Sequence, residues 1–304
     1  MAEETFKAGY VAVIGRPNVG KSTLMNAFLG QKVAAVSPRP QTTRRRQLGI
    51  LTLPQAQIIF VDTPGIHQPV NKLGAYMNEV ALATLQDADI LLWLVSADQP
   101  PSDEDRLVAS RIEQLQPLPP VILALNKTDL LTAKQITQRR AQFQELLPQA
   151  ETMAISATAK LHLDKLRTEI IAHLPKGQPF FDAEQVTDLY EREIAVELIR
   201  EAVLMMLRDE VPYSVAVRLD EYKDRDEDAA YIAATLFVER DSQKGIVIGH
   251  GGEVLKQIGT QARKEIEALT ERKVFLELRV KVSKNWRNDA NALQTLGYAS
   301  RREA

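Results

Sequence analysis

The 304-residue sequence contains no cysteine, and this absence excludes disulfides, thiolate zinc sites and cysteine nucleophiles. It is compatible with a reducing cytoplasm. We find no signal peptide and no apolar run near the length of a membrane span, so we expect a cytoplasmic protein. The sequence also lacks an excess of one charge, because it has 38 lysines and arginines and 40 aspartates and glutamates. No global positive field indicates nucleic-acid binding, and any such site must be local.

The composition is that of an ordinary globular protein, with 45% hydrophobic and 26% charged residues, and the length predicts two domains. In the first half, short apolar runs alternate with stretches whose apolar residues have helical spacing. The expected strands are Tyr10–Ile14, Gln57–Asp62, Ile90–Ser96, Val121–Asn126 and Met153–Ser156. The expected helices between them include Leu73–Leu85, Asp103–Leu115, Lys134–Leu146 and Lys160–His173.

This alternation predicts an α/β fold with a doubly wound, mostly parallel sheet. Gln47–Leu53 is expected to add one antiparallel edge strand through a hairpin, and Pro175–Pro179 is the linker candidate. Beyond it the pattern changes to that of a smaller α+β domain. Its expected elements are the helix Leu189–Leu207, the strands Val211–Tyr222 and Ala230–Glu239, the solvated acidic turn Asp224–Asp228, a short strand Gly245–Ile248, the helix Glu253–Leu269 and the strand Val274–Val282.

The loop GRPNVGKS lies between the first expected strand and a helix. Gly15 and Gly20 allow backbone N–H groups to surround phosphate oxygens, Lys21 can reach the β- and γ-phosphates, and Ser22 can offer its hydroxyl to Mg²⁺. This context is that of a P-loop nucleotide triphosphatase. The residues expected to bind nucleotide here are Gly15, Arg16, Pro17, Asn18, Val19, Gly20, Lys21, Ser22 and Thr23.

Two further motifs follow later strands, and in an open parallel sheet ligands gather at the carboxyl ends of the strands. The first is DTPG, in which Asp62 is placed to hold Mg²⁺ and the Gly65 N–H to contact the γ-phosphate. In the second, NKTD, the Asp129 carboxylate can accept two hydrogen bonds that guanine donates and adenine does not. After the next strand, backbone N–H groups of Ile-Ser-Ala could meet the guanine O6. The nucleotide contacts expected from these segments are Asp62, Thr63, Pro64, Gly65, Ile66, Asn126, Lys127, Thr128, Asp129, Ser156 and Ala157.

These four motifs, in this order and spacing, resemble those of the translation-factor-related GTPases. The resemblance implies GTP and GDP as ligands and hydrolysis of GTP to GDP and phosphate. It also implies that Mg²⁺ is held by Ser22, Asp62 and a threonine of the switch segment PQTTRRR, for which we favour Thr43 over Thr42. Lys21, Thr43, Asp62 and Gly65 are the expected catalytic residues. Ile66 follows DTPG where Ras-type GTPases carry a water-orienting glutamine, so we expect slow intrinsic turnover. Asn18 is similar to the P-loop asparagine of members that hold K⁺, which makes K⁺ a second candidate ion.

The second half contains GIVIGHGG, followed by an amphipathic helix. A GxxG turn lets a backbone approach a nucleic-acid backbone closely, as in KH domains, and the element order resembles the prokaryotic, type II KH arrangement. The expected RNA contacts are Lys244, Gly249, His250, Gly251, Gly252 and Lys256. Trp286 is expected either to stack on a base or to anchor the C-terminal segment.

A P-loop GTPase domain with the switch sequence PQTTR, followed by a helix ending in RDEVPYSVAV and a KH domain that contains GIVIGHGG, resembles the Era-type family of GTPases. The resemblance implies a factor in assembly of the small (30S) ribosomal subunit, with the KH domain on the 3′ region of its ribosomal RNA. It also implies peripheral contact with the cytoplasmic face of the membrane, and we expect a monomer. The expected ranges are 8–175 for the GTPase domain, 176–187 for the linker, 188–284 for the KH domain and 285–304 for the tail.

Two other functions remain open at this stage. One is an RNA-binding module whose nucleotide domain is a relic, although the retained Lys21, Ser22, Asp62, Asn126 and Asp129 argue against it. The other is a membrane-associated cell-cycle signalling GTPase whose KH fold binds protein. Enrichment of ribosomal RNA in crosslinking distinguishes the last function from the ribosomal one.

Overall fold

The computed structural model describes residues 5–37, 39–226 and 228–298, which form two compact units. The first unit comprises the chain up to Ala34, Thr43–Gln68 and Met77–Asp188. The second comprises Ala35–Thr42, Pro69–Tyr76 and the chain from Leu189 onward. None of the helices in the described ranges is long and apolar enough to cross a membrane.

The first unit is built on a six-stranded sheet. Its strands are β1 (Lys7–Ile14), β2 (Gln47–Leu53), β3 (Ala56–Asp62), β4 (Ile90–Ser96), β5 (Val121–Asn126) and β6 (Glu151–Ala154). Its helices are α1 (Lys21–Leu29), α2 (Lys72–Gln86, whose first turn belongs to the second unit), α3 (Asp103–Glu113), α4 (Ala133–Gln144) and α5 (Leu163–His173). The strand order is β2-β3-β1-β4-β5-β6, with β2 antiparallel to β3 and the other neighbours parallel, as expected.

Both faces of this sheet are covered, which explains the apolar runs in the sequence. Val11 and Val13 of β1 pack in one core cluster with residues of α1 and α5. Ala12 and Ile14 pack in another cluster with residues of α2, α3 and α4. Strands buried on both faces read as continuous hydrophobic runs, and the loops after their carboxyl ends remain free to carry the site.

The segment after α5, expected as a linker, lies along the first unit. The N–H groups of Phe180 and Phe181 donate to Oε1 of Gln57 in β3, at 2.7 and 3.0 Å. The N–H of Ile50 in the edge strand β2 donates to the carbonyl oxygen of Val186 at 2.9 Å. The Ile50 contact satisfies one backbone N–H on the otherwise unpaired edge of β2.

The second unit contains a three-stranded sheet and helices. Its elements are α6 (Glu191–Met206), β7 (Ala216–Asp226), β8 (Ala229–Val238), α7 (Asp241–Ile248), α8 (Glu253–Thr270), β9 (Lys273–Val282) and α9 (Ala290–Thr295). The strand order is β7-β8-β9, with β7 antiparallel and β9 parallel to β8. Val203 of α6, Leu236 of β8 and Ile258 of α8 lie in one core cluster.

Two expected boundaries in this unit differ from the structure. Gly245–Ile248 is the second half of helix α7 and not a strand, because the Gln243 side chain accepts hydrogen bonds from the N–H groups of Glu239 and Arg240 and starts a helix there. Val211–Ser214 forms a 3₁₀ turn before β7, since proline suits the first turn of a helix. The expected acidic turn falls partly outside the described residues at position 227, and its Asp224 pairs with Arg272 at 2.8 Å.

The C-terminal segment is anchored by Trp286, which is fully buried. Its Nε1–H donates to the carbonyl oxygen of Ser214 at 2.8 Å, and its ring stacks on that of Tyr298 with centroids 6.2 Å apart. The anchoring interpretation of this residue is therefore confirmed, and base stacking on it is wrong. Residues 299–304 of the expected tail lie outside the described chain.

The second unit also holds the segment Ala35–Thr42 against α6. The Arg200 guanidinium is buried, donates to the carbonyl oxygen of Thr42 and pairs with Glu197. The carboxylate of Glu201 accepts a hydrogen bond from the N–H of Val36 at 3.2 Å. These two charged side chains on one helix hold backbone groups near both ends of the segment.

Candidate functional site

The P-loop takes its shape from two glycines after β1. Gly15 has φ 148°, and a Cβ there would lie 2.2 Å from the carbonyl oxygen of Leu94. Gly20 has φ 103°, and a Cβ there would lie 2.4 Å from Nδ2 of Asn126. Other residues are strained at such φ values and would also collide, so the loop requires glycine at both positions.

Lys21 lies inside this loop. Its Nζ donates to the carbonyl oxygens of Gly15 at 3.2 Å and Arg16 at 3.0 Å, and the residue is only 6% exposed. Burial lowers the pKa of the ammonium to about 8, more than the charge of Asp62 raises it. The loop backbone therefore positions a cation where the β- and γ-phosphates of a nucleotide would lie.

Three oxygen-bearing side chains, from α1, β3 and the segment before β2, meet next to the P-loop. Oδ2 of Asp62 accepts hydrogen bonds from Ser22 Oγ at 2.6 Å and Thr43 Oγ1 at 3.1 Å. The two hydroxyl oxygens are 3.0 Å apart. Burial raises the pKa of Asp62 despite the Lys21 charge and these hydrogen bonds, and Oδ1 is buried without a partner in the described part of the chain. An orphaned carboxylate oxygen beside two hydroxyls is a donor set that suits Mg²⁺.

The DTPG segment passes close to the P-loop. Thr63 Oγ1 donates a hydrogen bond to the carbonyl oxygen of Val13 at 2.9 Å. The N–H of Ile66 donates a hydrogen bond to the carbonyl oxygen of Gly15 at 3.3 Å. A Cβ on Gly65 would lie 2.6 Å from the Pro17 nitrogen. The Ile66 side chain is 2% exposed and packs in a core cluster of the sheet, so it does not present a polar group to a water molecule.

Asn126 joins three loops of the site. Its Nδ2 donates to the carbonyl oxygen of Val19 at 2.8 Å, and its Oδ1 accepts from the N–H of Ala157 at 2.9 Å. The Ser156 N–H donates to the carbonyl oxygen of Leu161. The backbone N–H groups of Ser156 and Ala157 are thus used within the chain, where the sequence led us to expect guanine contacts.

Two further residues of NKTD differ in their roles: Thr128 holds the loop in place, whereas Asp129 is open to a ligand. Thr128 Oγ1 donates to the carbonyl oxygen of Ile155 at 2.7 Å, which ties this loop to the end of β6. Asp129 is exposed, and its carboxylate forms no hydrogen bond with any residue in the described ranges. An open carboxylate at this position is available to accept the donors of a guanine base.

The glycine turn of the second unit lies between α7 and α8, on helical segments as a GxxG turn requires. Gly249, Gly251 and Gly252 have positive φ values of 73°, 57° and 85°. His250 and Lys256 are exposed, and Lys244 is half-buried on α7. The six expected RNA-contacting residues therefore lie on this turn and the two adjoining helices.

Comparison with known proteins agrees with both halves of this geometry. Residues 10–127 match the family model described as 50S ribosome-binding GTPase, and residues 210–287 match that of the KH domain. GTPase Era of Geotalea uraniireducens is 45% identical over 98% of this chain and all of its own length. The Era of Leuconostoc citreum is 46% identical over 98% of each chain. This chain belongs to the Era family of GTPases.

Solved structures of Era support the same assignment. A crystal structure of Era in complex with MgGDPNP and nucleotides 1506–1542 of 16S ribosomal RNA is 40% identical, with TM-score 0.93 over 97% of this chain and all of that one. A variant of Aquifex aeolicus Era bound to GDP·AlF4⁻ is 39% identical, with TM-score 0.92 over the same shares. The expected resemblance, the fold class and the GTPase activity are confirmed.

Two acidic residues that contact the expected nucleotide-binding residues were missed from the sequence. Asp98 lies after β4, accepts from Ser96 Oγ at 2.6 Å and pairs with Lys127 of NKTD at 3.6 Å. Although burial raises the pKa of Asp98, the Ser96 hydrogen bond and the Lys127 charge hold it below its usual range. Asp105, at the start of α3, contacts Arg16 of the P-loop. For Asp98 the available signal was its position after a buried strand, at the carboxyl edge of the sheet, whereas Asp105 lies on α3 and no local signal connects it with the P-loop.

Proposed function

We propose that this GTPase is a switch that binds the 3′ region of small-subunit ribosomal RNA through its KH domain and assists assembly of the 30S subunit. One observation carries the proposal: this chain shares its full-length fold with Era in complex with MgGDPNP and a 16S ribosomal RNA segment. The glycine turn, with His250 and Gly251 exposed, supports the RNA-binding part of the proposal, and the open carboxylate of Asp129 supports its GTP-binding part. For the domains we propose the ranges 8–175, 176–187, 188–284 and 285–304.

Each of these groups of the nucleotide site has a proposed role in binding GTP or in its hydrolysis. Lys21 and the P-loop N–H groups bind and orient the phosphates of GTP, while Asp129 selects guanine. Ser22, Thr43 and Asp62 would hold Mg²⁺, which supplies positive charge against the phosphates. Gly65 contacts the γ-phosphate through its N–H, and the other residues of DTPG and NKTD position these groups. The γ-phosphate shifts the protein between states through its contacts with Thr43 and Gly65.

We further propose that K⁺ assists hydrolysis through Asn18. The buried Ile66 provides no group to orient water, and a monovalent cation beside the phosphates would stabilise the charge of the transition state. Asn18 is exposed on the P-loop with φ 64°. Turnover is expected to be faster in KCl than in NaCl, and Asn18→Ala is expected to remove most of that difference. Equal turnover of the parent protein in both salts contradicts this role.

RNA binding by the glycine turn is tested with a matched pair of variants. Gly251→Glu places a bulky acid in the turn, whereas Gly245→Glu adds the same charge on α7, and a Cβ meets nothing within 4 Å at either position. Gly251→Glu is expected to weaken binding to the 3′ segment of 16S ribosomal RNA by about tenfold or more, because each lost phosphate or base contact costs on the order of 1–3 kcal/mol. GTP binding should stay unchanged in both variants. Equal RNA affinity of the two variants contradicts the assignment.

The ribosomal partner is tested by RNA crosslinking with mapping, run with a GTP analogue and with GDP. Crosslinks are expected at the 3′ end of small-subunit ribosomal RNA, with different yields in the two nucleotide states. Crosslinks without enrichment of ribosomal RNA would favour a signalling GTPase instead. The cytoplasmic location, the peripheral membrane contact and the monomeric state stay predictions. Cell fractionation measures the first two, and light scattering measures the third.

A further inference from the structure

The P-loop is fastened to the start of α3 by a buried carboxylate. The Asp105 side chain has no solvent exposure, and its Oδ2 lies 3.3 Å from Nε of Arg16, the second residue of the P-loop. The same oxygen accepts hydrogen bonds from the N–H of Ser102 at 2.9 Å and from its Oγ at 2.8 Å. One oxygen of Asp105 therefore accepts hydrogen bonds both from Ser102, at the start of α3, and from Arg16 of the P-loop.

Helix capping accounts for only part of this arrangement. Ser102 Oγ accepts from the Asp105 N–H at 3.2 Å, which completes a capping box at the start of α3. A neutral amide oxygen can accept the same bonds from Ser102, as glutamine does in such boxes. Burying an ionised carboxylate is costly unless a cation compensates it. Arg16, with its side chain 20% exposed, is that cation.

Anchoring the Arg16 side chain also fixes its backbone. The carbonyl oxygen of Arg16 accepts a hydrogen bond from Lys21 Nζ at 3.0 Å. A displaced Arg16 would therefore disturb the group that holds the phosphate-binding lysine. Contacts run without interruption from Asp105 through Arg16 to Lys21.

We propose that Asp105 is a positioning residue of the nucleotide site, which holds Arg16 and keeps the P-loop in its binding conformation before the phosphates arrive. The inference rests on the proposed role of the P-loop and adds a residue to that site. A loop that is already ordered binds its ligand without the entropic cost of ordering. Because the P-loop contacts phosphates common to both nucleotides, GTP and GDP affinities should depend on Asp105 alike.

A double-mutant cycle tests the proposal on the full-length protein with fluorescent GDP and GTP analogues. Asp105→Asn keeps the shape and the capping acceptor but removes the charge, and Arg16→Gln removes the cation. Each variant is expected to raise both Kd values roughly three- to tenfold, in keeping with the loss of a charge-assisted hydrogen bond. The double variant should bind no more weakly than the weaker single variant, because the two changes break one interaction.

Ser102→Ala is the matched control, because it removes the capping hydroxyl and leaves the contact with Arg16. It should lower the melting temperature without changing either Kd. Additive losses in the cycle, or an equal loss of affinity in Ser102→Ala, overturn the proposal and leave Asp105 a capping residue. If Asp105→Asn fails to fold, the Arg16 variants test the proposal. Arg16→Lys should restore most of the nucleotide affinity that is lost in Arg16→Gln. An unchanged affinity in Arg16→Gln overturns the proposal. A parent protein that binds no GDP would contradict the nucleotide site itself, whereas normal binding by all variants contradicts only the role of Asp105.

Discussion

Individual atoms decide the chemistry of the nucleotide site. One oxygen of Asp62 accepts from Ser22 and Thr43, and its other oxygen is buried without a partner in the described chain. Such an oxygen is costly to bury unless a ligand compensates it. The Asp129 carboxylate is exposed, so leaving it without a partner costs little, and it is available to accept hydrogen bonds from a base.

Base selection should change when Asp129 loses its charge. Asp129→Asn supplies a donor where the carboxylate accepted two hydrogen bonds, so preference should move from guanine toward xanthine nucleotides. Competition titrations with GDP and XDP measure the shift, which we expect to be on the order of a hundredfold in the affinity ratio. Asp164→Asn, at an exposed site on α5, serves as control. Retained selectivity for guanine counts against the role of Asp129.

The P-loop should not tolerate a side chain at Gly20. Gly20→Ala adds a Cβ that collides with Asn126 at 2.4 Å in addition to the strain of φ 103°. We expect at least roughly tenfold weaker GDP binding and a loss of about 1–3 kcal/mol in the free energy of unfolding. Gly30→Ala is the matched control, because Gly30 also has positive φ, 71°, but a Cβ there meets nothing within 4 Å. It should lose stability and keep its affinity for GDP; equal affinity losses contradict the collision argument.

At the scale of elements, short helices and turns depend on single long-range anchors. The six-residue helix α9 is too short to be stable alone. Trp286 stabilises the segment that contains α9, since it is fully buried and donates a hydrogen bond to the backbone before β7. The segment after β9 is therefore part of the packed second unit.

Replacing Trp286 separates packing from nucleic-acid stacking. Trp286→Phe keeps most of the buried ring and loses the Nε1–H bond to Ser214, so it should cost about 1 kcal/mol of the free energy of unfolding. Trp286→Ala leaves a cavity and should cost about 3–5 kcal/mol. Chemical denaturation measures both. RNA affinity of the Phe variant should match that of the parent, and a specific loss of RNA binding with unchanged stability would contradict burial.

At the scale of the whole molecule, the two compact units do not follow the order of the chain. Residues 35–42 precede the Mg²⁺ candidate Thr43 in sequence, yet they pack with the second unit through Arg200 and Glu201. A buried arginine that donates to a backbone carbonyl and pairs with Glu197 is costly to remove, because it leaves its partners unsatisfied.

Arg200 should therefore protect this segment from proteolysis. Arg200→Leu keeps an apolar side chain at this position of the helix but removes both contacts, so elastase should cleave after Val36 several times faster than in the parent, because local opening becomes less costly. Arg192→Leu, an exposed change on the same helix, should leave the rate unchanged. Mass spectrometry of the fragments identifies the cleavage site. Equal rates in the parent and in Arg200→Leu contradict the restraint.

Most of the architecture could be predicted because its signals are local. The apolar periodicity of β3, β4 and β5 is carried by consecutive residues, and so are GRPNVGKS, DTPG, NKTD and the glycine turn. Each motif follows the end of a strand or joins two helices, so its place in the fold follows from element order. The helical state of Gly245–Ile248 was missed, because a short apolar run fits a strand and a helix equally well.

The sequence by itself determined the order of elements, the candidate ligand chemistry and the division into a GTPase and a KH fold. Tertiary structure alone decided that Trp286 is buried, that residues 35–42 pack with the second unit, that the segment ending at Asp188 lies on the first, and that Asp105 reaches the P-loop. These contacts join residues about 70 to 165 positions apart. Periodicity and motif spacing describe neighbours along the chain, whereas such pairs are specified only when the whole core is packed.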